Sequence, residues 1–427
     1  MTTFDAILPE IGKVLAQETL AQFGEIIINR DLNGRVRLIL NESLRNAQGD
    51  PQKLAAAVSA CLETHGYAPD RLVLFESDLE AVKRGAPHFP LEGFNNVTVV
   101  DRLVTETDWS NIADPALGPP RMVFFSIKGG VGRSTALAAA AWSLARAGKR
   151  VLVLDLDLES PGLSSALLPE DRRPTFGMTD WLVEDLVDNG DAVFEDMVAS
   201  CDLFGEGEIL VVPAHGRDPG EYLVKLGRAW MPKISDKGVH ESWSAWLRRL
   251  LDKLETKHKP DVILIDSRAG IDEAASACIT ELGSKTVFLF AIDGDQTWTG
   301  YDILFRYWRQ TGKAGKIRDR LQMVGAMIPE LNARDYFGGL RERAWIVFTN
   351  DLYDAISADN ALGDEFNFGK TDRDAPHYPW PIRWHRGFAA LQSLHSRFWE
   401  IDDDVMRAVF GEFIDGIHSS IDNESEP

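Results

Sequence analysis

From Met122 onward the apolar positions come in short unbroken runs: Met122–Ile127, Val151–Leu156, Ile209–Val212, Val262–Ile265, Thr286–Ala291 and Leu321–Met327. Helical stretches separate them, for example Ser134–Ala147, Glu241–Thr256 and Thr297–Thr311. A strand that is apolar at every position is buried on both faces. The pattern therefore predicts an α/β fold, a doubly wound and mostly parallel sheet with helices on each side. Ligands of such sheets bind at the carboxyl ends of the strands. Near the end of the chain Met406, Val409, Phe410, Phe413 and Ile417 recur at helical spacing, as do Trp243, Trp246, Leu247, Leu250 and Leu251. Both stripes read as core-facing helices.

The first segment has a different rhythm. Glu25–Asn29 and Val36–Leu40 are β-rich and flank Asp31-Leu32-Asn33-Gly34, whose Asn-Gly pair is a hairpin turn signal. Pro51–His65 reads as a helix, and Leu72–Phe75 and Val97–Val100 as further strands. A polar, Pro/Gly-rich break spans residues 105–120. We expect a small α/β (α+β) N-terminal domain over 1–118, with no catalytic constellation and no assigned role. The larger domain, 119–427, closes with a helical and aromatic extension.

Charge narrows the function classes. The 427 residues carry 66 acidic and 45 basic side chains, a net charge of −21. Residues 1–120 hold 17 and 10 of these and the rest 49 and 35, so the acidity is spread over both domains. Bulk attraction to DNA or anionic lipid needs the opposite sign, so DNA and membrane are not expected partners. Cys61, Cys201 and Cys278 lie far apart, giving neither a disulfide framework nor a CxxC pair, and a reducing cytoplasm is the expected setting. The N-terminus has no basic-then-apolar leader pattern, and no run approaches the ~18 apolar residues of a membrane span.

The chemistry lies in Phe124-Phe125-Ser126-Ile127-Lys128-Gly129-Gly130-Val131-Gly132-Arg133-Ser134-Thr135. An apolar strand enters a glycine-rich loop, and the loop enters an alanine-rich helix. Gly129, Gly130, Val131 and Gly132 offer backbone amides where side chains would block them. The helix start adds unpaired N–H groups and a positive dipole end. Arg133 supplies a cation, Ser134 a hydroxyl for magnesium, and Thr135 one for a phosphate. Gly148 is placed to cap the helix. In the standard loop, G-x-x-x-x-G-K-[ST], the first glycine falls on Ile127 and the lysine on Arg133.

The loop resembles the deviant Walker A motif, K-G-G-x-G-K-[ST], of the ParA/MinD family, in a KGGVGR variant branch. By that resemblance Lys128 is the additional signature lysine, and Ser134 the magnesium ligand. Two acidic strand ends support it. Val151–Asp155 continues into Leu156-Asp157, matching the family's D-x-D. A two-residue period would point Asp155 and Asp157 to one side. The resemblance makes Asp157 the orienter of the attacking water and Asp155 part of the metal shell. Val262–Asp266 has the Walker B shape, with Asp266 holding magnesium through water. Ser267-Arg268-Ala269-Gly270 resembles switch II, where Arg268 either meets a phosphate, steadies the switch or is a surface residue.

The resemblance implies a magnesium-dependent, slow ATPase that forms a homodimer on ATP, with Lys128 crossing to the partner's phosphates. It would regulate an unidentified protein partner, by association in a multi-gene bacterial system such as phage defence. The competing reading is a nucleotide-sensing adaptor with little turnover, because arginine is a planar fork and lysine a compact point charge. Adenine contacts are unassigned; residues after Met327, Ile328–Asn332, are one source. His377, His385 and His395 occur with Trp380, Trp384 and Trp399, where a packed connection is favoured over a zinc site or a docking surface.

Overall fold

The computed structural model describes the chain except residues 1, 17–19, 48–49, 85, 103–107, 202–206, 235–239, 356–364, 389–402 and 423–427. His395 and Trp399 lie outside the described residues. The chain divides into two compact units, Met1–Asn111 with Trp308–Lys313, and Ile112–Tyr307 with Ala314–Pro427.

In the first unit five strands are ordered β3-β2-β1-β5-β4. They are β1 (Ile26–Arg30), β2 (Val36–Asn41), β3 (Val73–Glu76), β4 (His88–Pro90) and β5 (Val97–Asp101). The β1–β2 hairpin turns where the Asn-Gly pair placed it. Gly34 sits at φ +75°, and Asp31 accepts from the amides of Asn33 and Arg35. Helices α1 (Ile7–Leu15) and α2 (Asp50–Leu62) place Ile7, Ile11, Leu54 and Val58 on Ile26, Ile28, Leu38 and Val99. One face of β1 and β2 thus packs on these helices, while Ile27 and Ile39 of the other face are buried too, with Val100, against Leu74, Leu79 and Val82.

The second unit holds an eight-stranded sheet ordered β15-β14-β13-β6-β12-β7-β9-β8. Its strands are β6 (Arg121–Ser126), β7 (Arg150–Asp155), β8 (Ala199–Cys201), β9 (Glu208–Val212), β12 (Val262–Asp266), β13 (Thr286–Ala291), β14 (Leu321–Ile328) and β15 (Trp380–Arg383). A two-residue ribbon, β10 (Lys233–Ile234) with β11 (His240–Glu241), stands apart. All pairs in the large sheet are parallel except β8–β9. The doubly wound, mostly parallel sheet is therefore present. Its antiparallel edge β8, β15 and β4 of the first unit were not foreseen. Each has three or four residues, too few for a periodic signal.

Helix α3 (Arg133–Arg146) and a C-terminal helix (Asp403–Asp422) cover one face of the sheet, burying Ala136–Ala141, Met406, Phe410 and Phe413 on Met122, Phe124, Phe288 and Phe290. Phe124, Phe288 and Phe413 meet edge to face, with centroids 5.1–6.2 Å apart. On the other face Phe125 meets Tyr301 of α5 (Asp295–Gln310). Helix α4 (Trp243–His258) buries Trp246, Leu247, Leu250 and Leu254. It starts two residues after the expected Glu241, at the first residue of its apolar stripe, because Ser242 caps the amide of Ala245. Residues 112–118, assigned from sequence to the end of the N-terminal domain, are held in this unit by bonds from Ala113 N to Thr280 O and Ala116 N to Gly283 O.

Candidate functional site

The loop 127–132 leaves the carboxyl end of β6, beside the ends of β12 and β7. Gly130 and Gly132 have φ of +74° and +82°, so the backbone curls before α3 begins at Arg133. Nothing lies within 4 Å of where a Cβ would stand on Gly129, Gly130 or Gly132. Among the described residues, the amides of 129–135 have no backbone acceptor; the first bonded amide of the helix is Ala136 N, to Gly132 O. Residues 129–135 all line one open space, backed by the positive end of a 14-residue helix. At the far end of α3, Gly148 takes φ +82° and closes it as expected.

This space is a cavity of about 650 Å³. One wall is the loop through Thr135, with Ser126, Asp157, Ser160, Arg268 and Ala269. The opposite wall is Met327, Ile382, Arg383, Trp384, His385, Phe388, Val409 and Phe410. That second wall was missed. Residues 328–332 do not line the cavity; Met327 does, at φ +52° in an irregular stretch of the β14–β15 pairing. Trp384 N bonds Ile328 O, which holds the Trp384-His385 corner over the loop. The only sequence signal was the aromatic-basic run after Pro381.

Arg133 is 7% exposed, and its guanidinium is turned onto acids. Nε donates to Asp266 Oδ1 at 2.6 Å, Nη2 to Asp157 Oδ2 at 2.8 Å, and Nη1 to Ser126 Oγ at 3.4 Å. Ser134 Oγ donates to Asp266 Oδ2 at 2.5 Å. Burial opposes the arginine's charge, yet Asp266 and Asp157 outweigh it and raise its pKa. Asp157 is also held above the usual carboxylate range, because burial outweighs its arginine partner.

Asp157 lies two residues beyond the end of β7, whose last residue is Asp155. The Asp155 oxygens accept from Asp157 N and Leu163 N, both at 3.2 Å, and Asp155 does not line the cavity. Burial, then the neighbouring Asp266, pushes its pKa up to about 8. It lies beside Asp266 in the sheet register, and its two bonds hold the start of the loop after the strand. Arg268 bridges Glu159 and Asp272, so it ties the segment after the D-x-D to the segment after Walker B. Gly270 N bonds Ser126 O and Ser267 N bonds Phe124 O, pinning the switch II-like turn to β6.

Lys128 is exposed and forms no ion pair among the described residues. His377 is fully buried, against Tyr353 and Lys370 O, and no group of His, Cys, Asp and Glu among the described residues is arranged to hold a metal. The hydroxyl of Ser134 and the carboxylate of Asp266 are nonetheless the hard oxygens that magnesium takes, side by side at the foot of the loop. Among the described residues, no helix is long and apolar enough to cross a membrane.

Comparison with known proteins places this site. A family model described as the CobQ/CobB/MinD/ParA nucleotide binding domain matches residues 122–371. No curated protein matches the chain. Among solved structures it is similar to pNOB8 ParA bound to nonspecific DNA, at 16% identity and TM-score 0.44 over 71% of this chain and 99% of that one. It is similar to MinD of Aquifex aeolicus, at 13% identity and TM-score 0.41 over 70% and 97%. It is similar also to MinD of Pyrococcus horikoshii OT3 complexed with Mg-ADP, at 22% identity and TM-score 0.32 over 50% and 71%. The family match spans more than half of the chain and contains the loop, both acidic strand ends and the parallel strands between them. The chain belongs to the CobQ/CobB/MinD/ParA nucleotide-binding family, with a ParA/MinD-type P-loop ATPase fold.

Proposed function

We propose that the cavity binds ATP and that the protein is a slow ATPase switch, which dimerises on ATP and regulates a partner protein. The observation that carries the reading is the run of seven unbonded amides, 129–135, facing a cavity with an aromatic far wall. Amides at a helix start take phosphate oxygens. Trp384, Phe388 and Phe410 offer a face to a base. Ser134 and Asp266 would hold magnesium, which supplies charge neutralisation at the phosphates. Asp157 keeps one carboxylate oxygen clear of Arg133 and would orient water with it. Lys128, exposed and unpaired, would reach the phosphates of a second copy.

ATP titration by calorimetry, with light scattering to read mass, tests this. Wild type should bind ATP and become dimeric. Lys128→Ala should lose the dimer while still binding ATP. Equal dimerisation with and without Lys128 removes the trans role, and no ATP binding by wild type overturns the reading. Capture of partners by ATP-loaded against ADP-loaded protein would then name what the switch regulates.

A second reading, an adaptor with little turnover, is favoured by Arg133 lying on both Asp157 and Asp266. A large gain in turnover for Arg133→Lys at unchanged affinity would support it.

A further inference from the structure

The inference rests on the nucleotide reading above and concerns how the site balances its charge. Three carboxylates converge where β7 and β12 end, and Asp155 and Asp266 are directly paired in the sheet register. A polyphosphate approaching Asp157 and Asp266 meets two negative charges at close range. Some cation must stand between them, and in P-loop sites a divalent ion bridging the phosphates does so.

Here a cation is already built in. Arg133 reaches under the loop across the ends of three neighbouring strands, β6, β12 and β7, touching Ser126, Asp266 and Asp157. Its two acidic contacts use different nitrogens of one planar fork, at 2.6 and 2.8 Å. A lysine has one nitrogen, and cannot offer two separated, directed donors from a rigid plane. Both oxygens of Asp266 are taken, one by Arg133 and the other by the Ser134 hydroxyl. The pair lies in a buried setting, with side-chain exposures of 7% and 2%, where charge attraction is little screened.

We infer that Arg133 is a resident counter-ion for Asp157 and Asp266, so that this site binds nucleotide without needing a divalent cation. The ligand class is the metal-free nucleoside di- or triphosphate. The amides of 129–135 hold its phosphates as uncharged donors. Two of the five guanidinium N–H groups beyond the three engaged ones remain to meet an oxygen at the loop. A metal ion at Asp266 would have to displace Arg133 or the Ser134 hydroxyl, which engage both of its oxygens.

Calorimetric titration of ATP into the full chain, in excess EDTA and in millimolar magnesium, tests this directly. For wild type the dissociation constant should change by less than about threefold between the two. For Arg133→Lys, which keeps a charge but loses the fork, chelation should weaken binding by ~tenfold or more. A tenfold magnesium requirement in wild type overturns the inference while leaving the nucleotide reading intact. Metal-insensitive binding by Arg133→Lys overturns it too, since the fork would then not be the cause. No ATP binding by wild type in either condition sinks the nucleotide reading itself. The wild-type comparison does not depend on any variant folding, and a thermal melt checks that Arg133→Lys does.

Discussion

The departure of Ile127 from the expected loop glycine makes a quantitative prediction about Gly300. Gly300 lies buried in α5, opposite the start of the loop. A Cβ on it would stand 2.4 Å from Ile127 Cγ2 and 2.9 Å from both Cγ1 and Cδ1. Isoleucine is stiff at χ1, so the conflict is not relieved by swinging a flexible end away. Overpacking of this kind costs ~1–3 kcal/mol, and three close atoms put Gly300→Ala near the upper figure. Alanine returns ~1 kcal/mol of helix propensity, leaving a net loss of ~2 kcal/mol. Ile127→Ala alone should cost ~2 kcal/mol through lost packing at a half-buried site. In the double variant the clash is gone and the helix gain stays, for a net cost of ~1 kcal/mol and a coupling energy near −3 kcal/mol. Urea unfolding of the four proteins, followed by tryptophan emission, measures the cycle. Additivity within ~0.5 kcal/mol would refute the pairing of these two residues.

Other outcomes follow from the same geometry. Arg133→Met leaves Asp266 and Asp157 buried without their cation, at side-chain exposures of 2% and 15%, and should destabilise the nucleotide-free protein by ~3–5 kcal/mol. Adding Asp157→Asn should recover part of that, and a loss under ~1 kcal/mol in urea would show the acids do not depend on Arg133. Trp384→Ala should weaken ATP binding about tenfold, since a stacked base is worth ~1–3 kcal/mol; unchanged affinity would put the base elsewhere. Burial holds His377 below its ordinary pKa of 6.5. Its contribution to stability is therefore present above 6.5 and lost as pH falls through the lower folded value. His377→Gln should flatten the acid side of the stability curve, and an NMR titration of His377 at or above 6.5 would contradict the assignment.

The parallel sheet was legible because burial on both faces leaves a strand no polar positions. The runs at Val262–Ile265 and Thr286–Ala291 therefore mark strands within a residue of where they lie. The amide cradle was legible for a local reason: glycines between a strand and a helix allow few other geometries. The far wall of the cavity was not. Ile382 lies in a strand of four residues that carries a proline and, among the described residues, pairs only with β14, and Trp384 and Phe388 come from the short irregular stretch just after it. That Asp157 lines the cavity and Asp155 does not follows a strand end at Asp155, and periodicity cannot see where a strand stops. The direction of the Arg133 side chain was also hidden. Whether a cation at that position meets phosphate or acid depends on which strand ends stand beside it, and that is a property of sheet order.

The two departures from the standard loop bear on whether this site is worn or retuned. A loop losing its function would shed its support: a bulky residue at the first glycine would strain its surroundings, and a misfitting cation would be left without partners. Neither holds. Ile127 has a space made for it by Gly300, in a helix where glycine otherwise costs ~1 kcal/mol relative to alanine. Arg133 has two carboxylates and a hydroxyl arranged on three successive strand ends. The donors that need no side chain, the amides of 129–135, stay open. Each departure is accommodated by a residue on another element, and the glycine-rich loop lining the cavity is left intact. With a net charge of −21 working against any polyanion, capture must come from these short-range donors, not from the field of the whole molecule. ATP binding should for that reason depend only weakly on ionic strength, whereas capture by a bulk basic surface would fall steeply with salt.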